Sequence, residues 1–120
     1  MIEEYKFGSI TIDGKTYDYD LEVRWTGEIL KWRRKASHVI DIGNIQGALG
    51  QNPDTIIIGT GESGMAKVTD ALKQELKSKG IKLIVDLTEQ STKTFNIINE
   101  DSEEEEGEQS KVIGLFHLTC

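Results

Sequence analysis

The stretch TIIIGTGESGMAKVTDALKQELKSKGIKLIVDL, residues 55–87, decides the fold. TIIIG is a run of mostly β-branched residues without polar alternation, as expected of a strand covered on both faces. Beyond the glycine loop, Met65, Val68, Leu72 and Leu76 recur at spacings of three and four, the apolar stripe of an amphipathic helix. Lys77 and Lys79 complement the negative end of that helix, and Gly80 supplies its left-handed stop. IKLIVDL then repeats the buried-strand composition. Strand, helix and strand within this span make a right-handed βαβ crossover, so the two strands are expected to be parallel.

Inside the span, GTGESG at 59–64 matches the G-x-G-x-x-G pattern of dinucleotide-binding loops, and Asp86 lies 22 residues beyond Gly64, near the end of the next strand. Two arguments weigh against a dinucleotide. After Leu87 the chain has room for one helix, a charged segment and one strand, so the second mononucleotide-binding half is missing. Glu62 also sits where phosphate would approach. A helix N-terminus offers an anion about 0.3–2 kcal/mol, whereas two like charges ~4 Å apart at an effective dielectric of 20 repel by about 4 kcal/mol. The primary reading is geometric: Gly59 and Gly61 permit a tight turn and Gly64 permits close packing. With Glu62 turned outward, the amides of residues 60–64 could still receive a small carboxylate or phosphate.

Toward the N-terminus, KFGSITI and KTYDYDLEV flank Asp13-Gly14, a dipeptide suited to a type I′ hairpin turn. Tyr17, Tyr19, Leu21 and Val23 alternate with Asp18, Asp20, Glu22 and Arg24, which reads as one strand with a wet face. WTGEILKWRRKASHVIDI reads as a further hairpin-like pass or an irregular loop. Any helix in NIQGALGQNPDT is short and ends before Pro53. Toward the C-terminus, Thr88 or Ser91 can cap a helix through about Asn99, with Phe95 and Ile98 facing inward. Residues 100–110, EDSEEEEGEQS, are expected to form an acidic mobile loop. VIGLFHLTC is apolar at both parities and belongs inside the sheet. Together these elements define a single α/β layered domain over residues 1–120.

The net charge of −7 comes from that acidic segment: 21 Asp and Glu, less its seven, leave 14 against 14 Lys and Arg. A neutral body disfavours broad attraction to nucleic acid or an anionic membrane. With no long apolar run and no secretory pattern in MIEEYKF, the expected location is cytoplasmic. Cys120 is the single cysteine, so no internal disulfide forms. His117 and Cys120 suggest a nucleophile and base, but residues three apart on a strand point to opposite faces. No histidine or cysteine spacing suits a metal, and no cofactor is implied. Asp18 and Asp20 share a strand face, where paired carboxylates usually serve solubility. KWRRKASH, residues 31–38, sets four basic side chains beside Trp32, a solvated edge or a partner surface.

Several of these pieces resemble a family of small domains of unknown function that includes the human adipogenesis-associated protein and a mitochondrial respiratory complex I assembly factor. They are FGSITIDGKTYDYD, the stretch from Trp32 and Arg33 to His38, IIIGTG, TEQSTKTFN and FHLTC. TEQ and FHLTC are similar to the adipogenesis-associated branch. The resemblance implies a three-layer α/β fold with a mixed central sheet whose C-terminal strand is central and antiparallel to its neighbours. It supplies no catalytic residues. Two functions are expected from the whole reading: a noncatalytic protein-binding or assembly module using Trp32, Arg33 and His38, or a small anionic-ligand site, enzymatic or not. That site would be lined by Gly61, Ser63, Gly64 and Thr88 and closed by Arg33 or His38.

Overall fold

The structure, a computed structural model, describes residues 1–34, 38–104 and 110–120, and of residues 101–104 the backbone alone. The chain forms strands β1 (Ile2–Lys6), β2 (Ser9–Ile12), β3 (Lys15–Tyr17), β4 (Leu21–Arg24), β5 (Ile29–Lys31) and β6 (Val39–Ile40). A 3-10 turn (Ile42–Ile45) and the short helix α1 (Gln46–Leu49) lead to β7 (Thr55–Thr60) and β8 (Lys67–Val68). Then follow α2 (Asp70–Ser78), β9 (Lys82–Asp86), α3 (Thr88–Glu104) and β10 (Val112–His117).

The central sheet runs β5-β4-β10-β7-β9. β7 and β9 are parallel, in register from Thr55 opposite Lys82 to Gly59 opposite Asp86, as a βαβ crossover requires. β10 is buried along its whole length at the centre. It is antiparallel to β4 but parallel to β7, where antiparallel pairing was expected on both sides. One strand cannot be antiparallel to both neighbours when those neighbours run in opposite directions.

Successive isoleucines of β7 feed opposite layers, the consequence of a two-residue strand period. Ile56 and Ile58 pack with Leu72 and Leu76 of α2, Ile45, Ala48 and Trp32 on one face. Ile57 packs with Phe95 of α3 and with Ile10 and Ile12 of the small β1-β2-β3 sheet on the other. The β2–β3 turn has Asp13 at φ 48° and Gly14 at φ 82°, the paired positive angles of a type I′ turn.

Four local features differ from expectation. The strand expected through residues 15–23 breaks at 18–20, and β3 and β4 enter different sheets. Glu22, expected in water, is buried and receives Arg24 Nε at 2.6 Å, since a charge enclosed against α1 needs a paired cation. The crossover helix starts at Asp70 rather than near Met65. Thr69 caps it by accepting Leu72 N–H, while Lys67–Val68 pairs in parallel with Val39–Ile40. At the other end α3 continues through Glu104, so residues 101–104 of the acidic segment are helical; residues 105–109 lie outside the described residues.

α3 approaches β7 closely at Gly59. A Cβ there would lie 2.6 Å from Ser91 Oγ, 2.8 Å from Thr88 Oγ1 and 3.0 Å from the Thr88 backbone. Gly59→Ala is therefore expected to destabilise the domain by about 1–3 kcal/mol through overpacking. Gly43→Ala, with open space around its Cβ, is expected to change stability by less than about 0.5 kcal/mol. Urea denaturation midpoints of the two variants check both values.

Candidate functional site

The carboxyl ends of β7, β9 and β10 meet at one rim of the sheet, where parallel α/β sheets favour ligands. Here the rim beyond the ends of β7 and β10 is filled by the chain itself. Thr88, fully buried at the start of α3, accepts the Gly61 N–H at 2.8 Å and donates its hydroxyl to His117 O at 2.5 Å. The glycine loop then closes on residues 119 and 120. Glu62 N–H donates to Thr119 O at 2.8 Å and Met65 N–H to Cys120 O at 3.1 Å. Gly61 has φ +102°, and a Cβ on it would lie 2.6 Å from Thr119 O.

The loop amides of Gly61, Glu62 and Met65 thus hold groups of this chain, and five residues, 65–69, separate Gly64 from the first residue of α2. The loop therefore does not run directly into the N-terminus of α2, as it does in a dinucleotide site. Ser63 and Gly64 line a separate open cavity of about 430 Å3 together with Lys67, Lys73, Asp86 and Leu87.

On the other side of residues 118–120, titratable groups converge. β4 pairs with β10 so that Leu21 faces Phe116, and continuing that antiparallel register brings Asp20 opposite His117. Asp20 Oδ2 lies 2.6 Å from Arg34 Nη2 and 2.8 Å from His117 Nδ1, while Arg34 Nη2 is 2.7 Å from the same ring nitrogen. Leu118 N–H donates to Asp20 Oδ1 at 2.9 Å. The Arg34 and His117 side chains are only 3% and 4% exposed, and that of Asp20 20%. His117 Nδ1 thus lies against both Asp20 and Arg34, and its Nε2 lies 3.4 Å from the Thr119 hydroxyl. Burial pushes the Asp20 carboxyl up, but the hydrogen bonds from His117, Leu118 N–H and Arg34 outweigh it and hold the group below its ordinary value.

Trp32 is the platform beneath this cluster. Its indole is buried, its Nε1–H donates to Asn44 O at 2.8 Å, and the Arg34 guanidinium stacks 4.5 Å from the ring centre. Arg33 and Lys31 are exposed and line a cavity of about 320 Å3 with Asp20, Arg34, His117 and Thr119. His38, also exposed, sets its ring edge-on to His117 with centroids 6.3 Å apart. On the opposite flank Tyr5 donates its hydroxyl to Leu118 O at 2.9 Å. Burial, then the Glu62, Glu89 and Asp20 carboxylates, push that phenol up to about 12.

The sequence candidates therefore separate. Arg33 and His38 gather beside His117, Trp32 supports them from inside, Gly61 and Thr88 lock the rim, and Ser63 and Gly64 face another cavity. Asp20, Arg34 and Thr119 were missed: Asp20 and Arg34 lie 97 and 83 positions from His117 in sequence, and the pairing of β4 with β10 that brings Asp20 to it leaves no local signal.

The fold is thus a mixed-sheet, three-layer α/β domain whose rim is closed by residues 119 and 120 of the chain itself. Residues 2–113 match the family described as protein of unknown function (DUF498/DUF598), and the chain belongs to that family. Among solved structures it is similar to the conserved hypothetical protein PH1505 from Pyrococcus horikoshii OT3, at 26% identity and a TM-score of 0.81, over 100% of this chain and 99% of that one. The MT938 protein matches at 24% identity and a TM-score of 0.80, over 100% and 98% of the two chains. An outer membrane protein from Bartonella henselae matches at 17% identity and 0.77, over 99% and 94%. Those last two share the fold. Among the described residues, no helix is long and apolar enough to cross a membrane.

The Asp20 cluster has a pH signature. Its folded pKa lies below the unfolded value near 3.9, so on acidification the unfolded state takes up the proton first. The stabilisation is present in full above about pH 3.9 and is lost as pH falls through the depressed folded value. Asp20→Asn is expected to cost about 1.5–3 kcal/mol at neutral pH, the range for hydrogen bonds to an ionised group. The gap to the parent protein should narrow below about pH 3.9, as read from urea midpoints in a pH series.

Proposed function

We propose that this domain binds a small anion, a carboxylate or phosphate, in the cavity between Lys31, Arg33, Arg34, His117 and Thr119. The supporting observation is the charge around that cavity: among the described residues, three permanent cations line it against the one carboxylate of Asp20. Asp20 holds Arg34 and His117 in place and neutralises one cation, so an incoming anion meets a net positive mouth. An anion about 4 Å from a cation at an effective dielectric of 20 gains about 4 kcal/mol, enough to offset the partial desolvation of a shallow site. Arg33 supplies a planar fork suited to a bidentate oxyanion, and His38 supplies a further donor at the edge. The Ser63–Gly64 cavity, with Lys67 and Lys73 opposed by Asp86, is less suited to the same ligand.

A second reading keeps the expected assembly role. An acidic side chain of another protein would supply the anion, with the exposed Arg33, His38 and Val39 as contacts and buried Trp32 only as support. The likeness of the TEQ and FHLTC stretches to the adipogenesis-associated branch supports that reading.

Thermal denaturation with acetate, succinate, inorganic phosphate and sulfate tests the proposal. A ligand at about 100 times its Kd contributes about 2.7 kcal/mol, a rise of roughly 10 °C for a domain of this size. At least one of these anions should raise the midpoint in the parent protein and not in Arg33→Glu, whose exposed side chain leaves the fold intact. No rise with any of them, or equal rises in both proteins, would overturn the small-anion reading.

A further inference from the structure

β9 is an edge of the central sheet, and among the described residues no strand pairs with its outer side. Its inner side is fixed by two bonds: Lys82 N–H donates to Asp54 O at 3.0 Å, and Asp86 O accepts Thr60 Oγ1–H at 3.1 Å. Strand alternation then turns the N–H and C=O groups of Leu83 and Val85 outward. Val85 and Leu87 are each 42% exposed beside this open ladder. Such an edge is a template for another strand.

We propose that β9 pairs antiparallel with β9 of a second copy, about a two-fold axis at Ile84. The segment Lys82-Leu83-Ile84-Val85-Asp86 is self-complementary in that register. Leu83 of each copy faces Val85 of the other, and these outward-turned residues become the hydrogen-bonded pairs that exchange both backbone bonds. Lys82 of each copy faces Asp86 of the other in non-hydrogen-bonded pairs, where side chains stand closest. Ile84 meets its own copy between them. Leu83 lies on the α2 face and Ile84 on the α3 face, so the merged sheet continues both layers.

The charges also select the register. Moving the axis to Lys82 or to Asp86 brings like charges together, and a one-residue slip sets outward groups against inward ones. The charged ends that discourage unrelated strands thus favour the matching one.

Sedimentation velocity of the full chain over a concentration series is the test. A concentration-dependent dimer is expected. Lys82→Asp alone and Asp86→Lys alone should each raise its dissociation constant by about tenfold or more, since like charges then face each other at both symmetric positions. The double reversal K82D/D86K should restore pairing. Val85→Pro, which removes an outward N–H, should abolish it, with circular dichroism confirming the fold of each variant. A monomer at every concentration, single reversals without effect, or a folded double reversal that stays dissociated would overturn the proposal.

Discussion

One side chain joins the three elements that meet at the rim. The Thr88 hydroxyl takes the Gly61 N–H and gives its own proton to His117 O, bridging β7 and β10 from the first residue of α3. These are buried backbone groups with no access to water, and leaving either without a partner costs about 1–3 kcal/mol. Gly59 lets α3 come close enough for the bridge, and Gly61 lets the loop turn under residues 119 and 120. The glycines of the nucleotide-like motif are therefore used on the chain's own backbone. The amides of Gly61, Glu62 and Met65 hold the Thr88 hydroxyl and the backbone oxygens of residues 119 and 120 where a phosphate would otherwise sit.

Pinning His117 and Leu118 in this way places the cluster on the far side. Leu118 is held by Tyr5 and by Gly8 N–H at its carbonyl and by Asp20 at its amide. Asp20 in turn holds His117 and Arg34, and the Arg34 guanidinium sits over the Trp32 ring, 4.5 Å from its centre. The polar site is thus built from strand ends and a buried aromatic platform, and its positive mouth is contributed by exposed Lys31 and Arg33. Positions held by this many contacts move little, which suits recognition of a small group.

The interior of the fold was legible because β7 and β10 are buried on both faces and read as apolar runs. IKLIVDL reads the same way, but β9 is the sheet edge, with Lys82, Val85 and Asp86 exposed; its spacing from β7 still gives the crossover. Boundaries governed by single side chains were not legible. The apolar spacing of Met65 and Val68 fits a helix, yet the Thr69 cap and the pairing of Lys67–Val68 with β6 delay its start. The alternation from Tyr17 to Val23 is real, yet it spans two sheets, so Asp20 reads as a wet carboxylate although it ends beneath His117. The site depends on which strands become neighbours, and β4 beside β10 has no local signal. Trp32 among basic residues suggests an exposed contact, while the fold uses its ring as the floor under Arg34.

Amide hydrogen exchange in Thr88→Val tests the lock most directly, because valine keeps the shape and removes the hydroxyl. The account predicts that the Gly61, Glu62 and Met65 amides lose protection together with Leu118, while Ile57 and Ile113 in the sheet interior keep theirs. Unchanged protection of Glu62, Met65 and Leu118 in a folded Thr88→Val protein would contradict it.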